Sequence, residues 1–68
     1  MTAVQSSNLA AVDYDGQGTL IIAFHSGGVY AYAGVPHSEY AGLMRASSHG
    51  KYYHARIKGR YSYRKLSR

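Results

Sequence analysis

His49, Lys51, His54, Arg56, Lys58 and Arg60 crowd into a short stretch near the end of the chain, with tyrosines threaded between them. The whole run from Ser47, SSHGKYYHARIKGRYSYRKLSR, holds two histidines, four tyrosines, seven Lys or Arg and no acid. Such a set suits phosphate-bearing ligands. Lys and Arg hold phosphate oxygens, Arg in a bidentate fork, and tyrosine rings stack on bases for about 1–3 kcal/mol per base. Two histidines also suit metal-independent phosphodiester cleavage. One takes the proton of a ribose hydroxyl, another group protonates the leaving oxygen, and a cation stabilises the charge on phosphate. His54 with His49 or His25 is the pair for that reaction. A two-metal nuclease lacks its carboxylates, because Asp13, Asp15 and Glu39 all lie outside the run. A zinc site would need three or four of His25, His37, His49 and His54 to converge, and the five-residue separation of His49 and His54 does not suit one helical face. No metal and no cofactor is expected.

Position follows from helical geometry. On a helix from Gly50, residues Lys51, His54 and Lys58 share one face, Tyr52 and Arg56 flank it, and Tyr53 and Ile57 point inward. The N–H groups of Gly50 and Lys51 would add the positive end of the helix dipole. The expected ligand-binding set is therefore Tyr30, Tyr32, Lys51, His54, Arg56, Lys58, Arg60 and Tyr61, with His54 and His49 as the expected catalytic pair. Tyr52 and Tyr63 are further candidates for stacking. The bland alternative makes the cations a solvated helix face and the tyrosines core residues with satisfied hydroxyls, which suits Tyr53 and Tyr30 best.

Charge is segregated along the chain. Residues 1–44 carry all three acids and no Lys or Arg, while residues 45–68 carry all eight Lys or Arg, giving the net +5. A single-signed field attracts polyanions and is screened by salt. A disordered basic tail would be poorer in tyrosine and would lack Ile57. At 68 residues the chain holds one domain, near the lower limit at which one core is stable, and with no Cys it has no disulfide or thiolate site to staple it. Self-association into a dimer or larger ring is the expected remedy. The longest apolar run, LIIAF, is too short to span a bilayer, and the first ten residues do not resemble a signal peptide, so a cytoplasmic protein that does not engage membranes is expected.

The elements that position these side chains read as a small α+β domain. VQSSNLAAVDYD reads as a strand ended by the Asp15-Gly16 turn. TLIIAFH and VYAYAGV flank Ser26-Gly27-Gly28 as a β-hairpin, completing a three-stranded antiparallel meander. A three-residue loop pairs His25 with Val29 and puts Leu20, Ile22 and Phe24 on the face of Tyr30 and Tyr32; a two-residue loop moves both tyrosines to the opposite face. The first is favoured because it gathers the bulky residues on one side. Pro36 sits at the first position of a helix over PHSEYAGLMRA, in which Tyr40, Leu43 and Met44 recur at helical spacing and Gly42 is a weak point. A second short helix over GKYYHARIKG is capped by Ser47 or Ser48 and ended by Gly59. RYSYRKL alternates like a short C-terminal strand.

Taken together, SSNLAAVDYD, GTLIIAFHSGGVYAYAGVP and SSHGKYYHARIKGRYSYRKL resemble the KTSC domain, a short domain found alone in bacteria and phages and at the C-terminus of some lysyl-tRNA synthetases. The resemblance runs over about residues 6–66. Its motifs are the Tyr30-x-Tyr32 pair, Val35-Pro36, Ser48-His49-Gly50, Tyr53-His54, and Ile57 with Gly59 to Tyr61. Members usually carry Asn near His54 and a more basic residue near His49, so this chain is richer in histidine. The resemblance implies an RNA-binding role without an established activity. The expected function is binding of a nucleotide or RNA phosphate. Its competitors are a metal-independent ribonuclease or phosphodiesterase, and a phage immune-evasion protein that sequesters or hydrolyses a cyclic nucleotide signal.

Overall fold

The computed structural model describes residues 1–66; Arg68, the last cation of the basic run, lies outside the described residues. Among the described residues five strands form one antiparallel sheet in chain order: β1 (Thr2–Ala3), β2 (Leu9–Tyr14), β3 (Leu20–Phe24), β4 (Val29–Tyr32) and β5 (Tyr63–Lys65). Between β4 and β5 the chain forms α1 (His37–Arg45) and α2 (His49–Tyr52), and α2 runs directly into a π-helical turn over Tyr53–Ile57. The α+β class with two short helices is as expected, but the sheet has five strands rather than three. The difference has a local cause. Ser6 breaks the expected first strand by accepting the N–H groups of Asn8 and Leu9 at 3.2 Å each, a Ser turn that competes with strand pairing. The residues before it fold back, so that Thr2 faces Val12. The alternating C-terminal stretch pairs with β4, Tyr63 opposite Tyr32 and Lys65 opposite Tyr30.

The hairpin keeps the expected face with a different pairing. Ile22 faces Tyr30 and Leu20 faces Tyr32, so the turn is His25-Ser26-Gly27 and His25 does not pair with Val29. Gly27 adopts φ +107° there, the left-handed residue a three-residue hairpin loop requires. The shift of two residues preserves the alternation, and Phe24 packs edge-on against Tyr30 with ring centroids 5.8 Å apart. A bulge between Leu9 and Ala11 lets Leu9 and Val12, three apart in sequence, both turn inward.

One side of the sheet carries the core. Leu9, Val12, Leu20, Ile22 and Tyr32 from the strands meet Val35, Leu43, Tyr53 and Ile57 from the helical segment. Pro36 caps α1 rather than opening it, its carbonyl accepting the N–H groups of Glu39 and Tyr40. Tyr14 fastens this helix to β2: it stacks on Tyr40 at 4.7 Å, meets His37 edge-on, and donates its hydroxyl to the Val35 carbonyl at 2.6 Å. His37 thereby belongs to the packing of α1. Among the described residues no helix is long and apolar enough to cross a membrane.

Candidate functional site

Two hollows open side by side on the helix side of the sheet, and Asn8 and His54 line both. The first, of about 560 Å3, is polar. The Ser6 turn forms one wall and the start of α2, with Ser48, His49, Lys51 and His54, forms the other. The second, of about 380 Å3, is aromatic, walled by Phe24, Tyr30, Tyr32, Tyr53 and Tyr63 with Lys58 at its margin.

Local sequence explains why these side chains converge. Ser48 caps α2 by accepting the N–H of Lys51 at 3.2 Å. The Lys51 amide, expected to serve an anion, is therefore already engaged, and its side chain remains exposed toward the polar hollow. His49 donates Nδ1–H to the Leu43 carbonyl at 2.8 Å, which in the neutral ring fixes the tautomer with Nε2 as acceptor. His25 donates Nε2–H to the Ser6 carbonyl at 2.9 Å, tying the hairpin turn to the Ser6 turn, and it lines neither hollow. His54 follows Tyr53, the two rings meeting edge-on at 5.4 Å, and stands exposed between the hollows. The π-helical turn closes with the Lys58 N–H on the Tyr53 carbonyl at 2.8 Å. It keeps Tyr53 and Ile57 buried, as expected, and delivers Lys58 to the aromatic hollow while Lys51 remains at the polar one.

The floor of the aromatic hollow is fixed by polar contacts. The hydroxyls of Tyr32 and Tyr53 hydrogen-bond to each other at 2.6 Å. Burial, then this bond, pushes the Tyr32 hydroxyl far above the usual tyrosine pKa. Tyr63, by contrast, is 62% exposed and leans on both Tyr30 and Tyr32 with centroids 5.6 Å apart, leaving a ring surface open at the rim. Lys65 lies 6.0 Å from the Tyr30 ring centroid, a cation–π distance.

Several expected site residues lie elsewhere. Glu39 is 7% exposed and draws three of them onto itself: Tyr52 donates to it at 2.5 Å, Tyr61 at 3.1 Å, and Arg56 Nε stands 3.6 Å away. The charge segregation in sequence is thus partly undone in space. The Glu39 bond raises the Tyr52 pKa, and burial followed by the same carboxylate raises that of Tyr61. Tyr52 reaches Glu39 by crossing α1 at Gly42, where an added Cβ would collide with the tyrosine hydroxyl. Arg56, Arg60 and Tyr61 line neither hollow. The structure adds Asn8, Ser6, Phe24 and Lys65, none of which sequence reasoning chose. The Ser-Ser-Asn run was the available signal, being a turn signature inside an otherwise strand-like stretch. Among the described residues no group of three His, Cys, Asp or Glu is placed to hold a metal ion.

Comparison with known proteins agrees with this architecture. A model of the KTSC domain matches residues 5–61. The crystal structure of a KTSC domain protein from Yersinia pestis superposes with a TM-score of 0.93 at 34% identity, covering 97% of this chain and 94% of that one. Lysine–tRNA ligases from Trichormus variabilis and from a Nostoc species are 45% and 43% identical over 49 residues, which is 72% of this chain but 9% of each ligase. By the extent of the family match and by its shared fold, this chain belongs to the KTSC domain family.

Proposed function

We propose that the chain binds a phosphate-bearing nucleotide, free or within single-stranded RNA, across the two adjoining hollows. The base stacks on the open ring of Tyr63 beside Tyr30, and the phosphate lies toward Lys51, His54 and Lys58. The carrying observation is that Asn8 and His54 belong to both hollows, so an aromatic hollow and a polar one adjoin, with Lys58 lining the first and Lys51 the second. A nucleotide has the same two halves. The resemblance to a segment of lysine–tRNA ligases, enzymes named for a tRNA substrate, supports RNA as the natural polymer.

Phosphodiester cleavage is the second reading, favoured by His49, whose neutral ring, anchored through Nδ1, would offer Nε2 as a base in the hollow that His54 also lines. One experiment separates the readings. The protein is titrated with short single-stranded RNA and with a panel of cyclic nucleotides, and each mixture is then resolved for products with and without a chelator. Binding without product supports the binder. Product that survives the chelator and disappears in His49→Ala or His54→Ala supports cleavage, and tight binding of a cyclic nucleotide with none for RNA supports sequestration of a signal. No binding to any of them contradicts the proposal.

A further inference from the structure

The sheet has a second face, and its side chains are self-complementary. Among the described residues the helices pack on the face of Val12, Leu20, Ile22, Tyr30 and Tyr32; of the alternate residues, Ala11, Ile21, Ala23 and Val29 are partly exposed, and Ala31 between them is 8% exposed. Strand register places the residues of this face in two rows across β2, β3, β4 and β5. The first row is Asp13, Ile21, Ala31, Arg64. The second is Ala11, Ala23, Val29 and then Leu66, whose N–H bonds the Val29 carbonyl at 2.7 Å and whose side chain is 48% exposed.

We infer that this face is the interface of a homodimer in which two sheets pack face to face about a two-fold axis parallel to the strands and midway between β3 and β4. Such an axis lays β2 of one copy over β5 of the other and β3 over β4. Each row then meets its own reverse. Asp13 meets the second copy's Arg64, Ile21 meets Ala31, Ala11 meets Leu66 and Ala23 meets Val29. One is a charge pair, and the other three set a large side chain against a small one, the alternation that interdigitating sheets need. Each contact occurs twice by symmetry. Among the described residues neither Asp13 nor Arg64 has an ion-pair partner within its own chain. A hollow of about 310 Å3 borders Ala31, with Thr19, Ala33 and Arg64 among its lining residues, and it gives Ile21 of the second copy a place to enter. The binding cleft lies on the opposite side of the sheet, so the dimer presents two clefts outward, and this inference stands independently of what they bind.

The four strands that overlap across this axis, β1 lying outside it, make a small face at about 4.8 Å spacing, below the roughly 800 Å2 per partner of a standard interface, so micromolar dissociation is expected. Sedimentation of the wild-type chain over a concentration series should show a species of twice 7.5 kDa. Asp13→Arg and Arg64→Asp each bring like charges together twice, and each alone should raise the dissociation constant tenfold or more. Mixing the two variants restores both pairs, because the two introduced charges then oppose each other across the interface and the two native ones do the same, so the mixture should recover a heterodimer. The double variant should likewise dimerise. Both sites are exposed, so circular dichroism of each variant should match wild type. A wild-type monomer at about 100 µM overturns the inference whatever the variants do. A dimer indifferent to both substitutions, as pairing through the β1 or β5 edge would give, also overturns it.

Discussion

Glu39 shows what a residue's type leaves unsaid. It is an acid near the start of α1, where the helix dipole favours it, yet its larger role is to collect Tyr52, Tyr61 and Arg56 from the chain that follows. Tyr52→Phe removes the hydroxyl from the buried Glu39 Oε1 and leaves it only the more distant Arg56, so it should lower stability by about 1–3 kcal/mol in urea melts while preserving nucleotide affinity. Gly42→Ala improves intrinsic helix propensity but pushes a methyl into Tyr52, so it should destabilise by about 1–3 kcal/mol rather than stabilise. A gain in stability would mean that Tyr52 does not cross α1 there. The tyrosines also set an alkaline limit. Tyr32, Tyr52 and Tyr61 bind their protons more tightly in the fold than in the unfolded chain. Their contribution is therefore whole below the unfolded tyrosine value of about 10 and is lost as pH rises through the raised values. Urea melts followed from neutral to strongly alkaline pH should show that loss, smaller in Tyr52→Phe. Burial of Tyr53 and Ile57 was legible from helical spacing alone. The pairing of Arg56 and Tyr61 with Glu39 was not, because nothing local in the sequence brings residues 39, 56 and 61 together.

Elements were most legible where turn chemistry and periodicity agreed. The Asp15-Gly16 turn, the glycine hairpin, the Ser48 cap and the positive-φ Gly59 just past the helical segment that ends at Ile57 all follow from local rules. Asp15 takes the N–H groups of Gln17 and Thr19 at 2.7 and 3.0 Å, which lowers its pKa. A carboxyl so held contributes its stability above the unfolded value of about 4 and loses it as pH falls through the lower folded value. Asp15→Ala should therefore flatten the acid limb of the stability curve and leave the alkaline limb unchanged. Ser48→Ala removes the cap of α2 and should cost about 1 kcal/mol, with some loss of affinity because Lys51 and His49 lose their anchored turn. Less legible were β1, which forms only because Ser6 reverses the chain, and the π-helical turn, whose wider closure no residue type announces. The hairpin pairing slipped by two residues because both pairings keep the same face, and hydrophobic alternation specifies the face more strongly than the pairing.

For the whole molecule, composition makes a polyanion the expected partner, and the fold divides the cations between Glu39 and the two hollows. Arg56 meets Glu39 and Arg60 lines neither hollow, whereas Lys51, His54 and Lys58 border the cleft. Lys58→Ala should weaken RNA binding and reduce the slope of log affinity against log salt by about 1, and Arg60→Ala should do less on both counts. Equal effects would return the site to a diffuse basic surface, as the sequence alone suggests. If the adjoining polar and aromatic hollows together take the nucleotide, amide chemical shifts mapped during titration with a mononucleotide will trace both of them. Shifts are expected in the Ser6–Asn8 turn, Ser48–His54, Lys58, Tyr30 and Tyr63, with Glu39, Arg60 and Tyr61 unmoved. Shifts centred on Arg56 and Arg60, or none at saturating nucleotide, would contradict it.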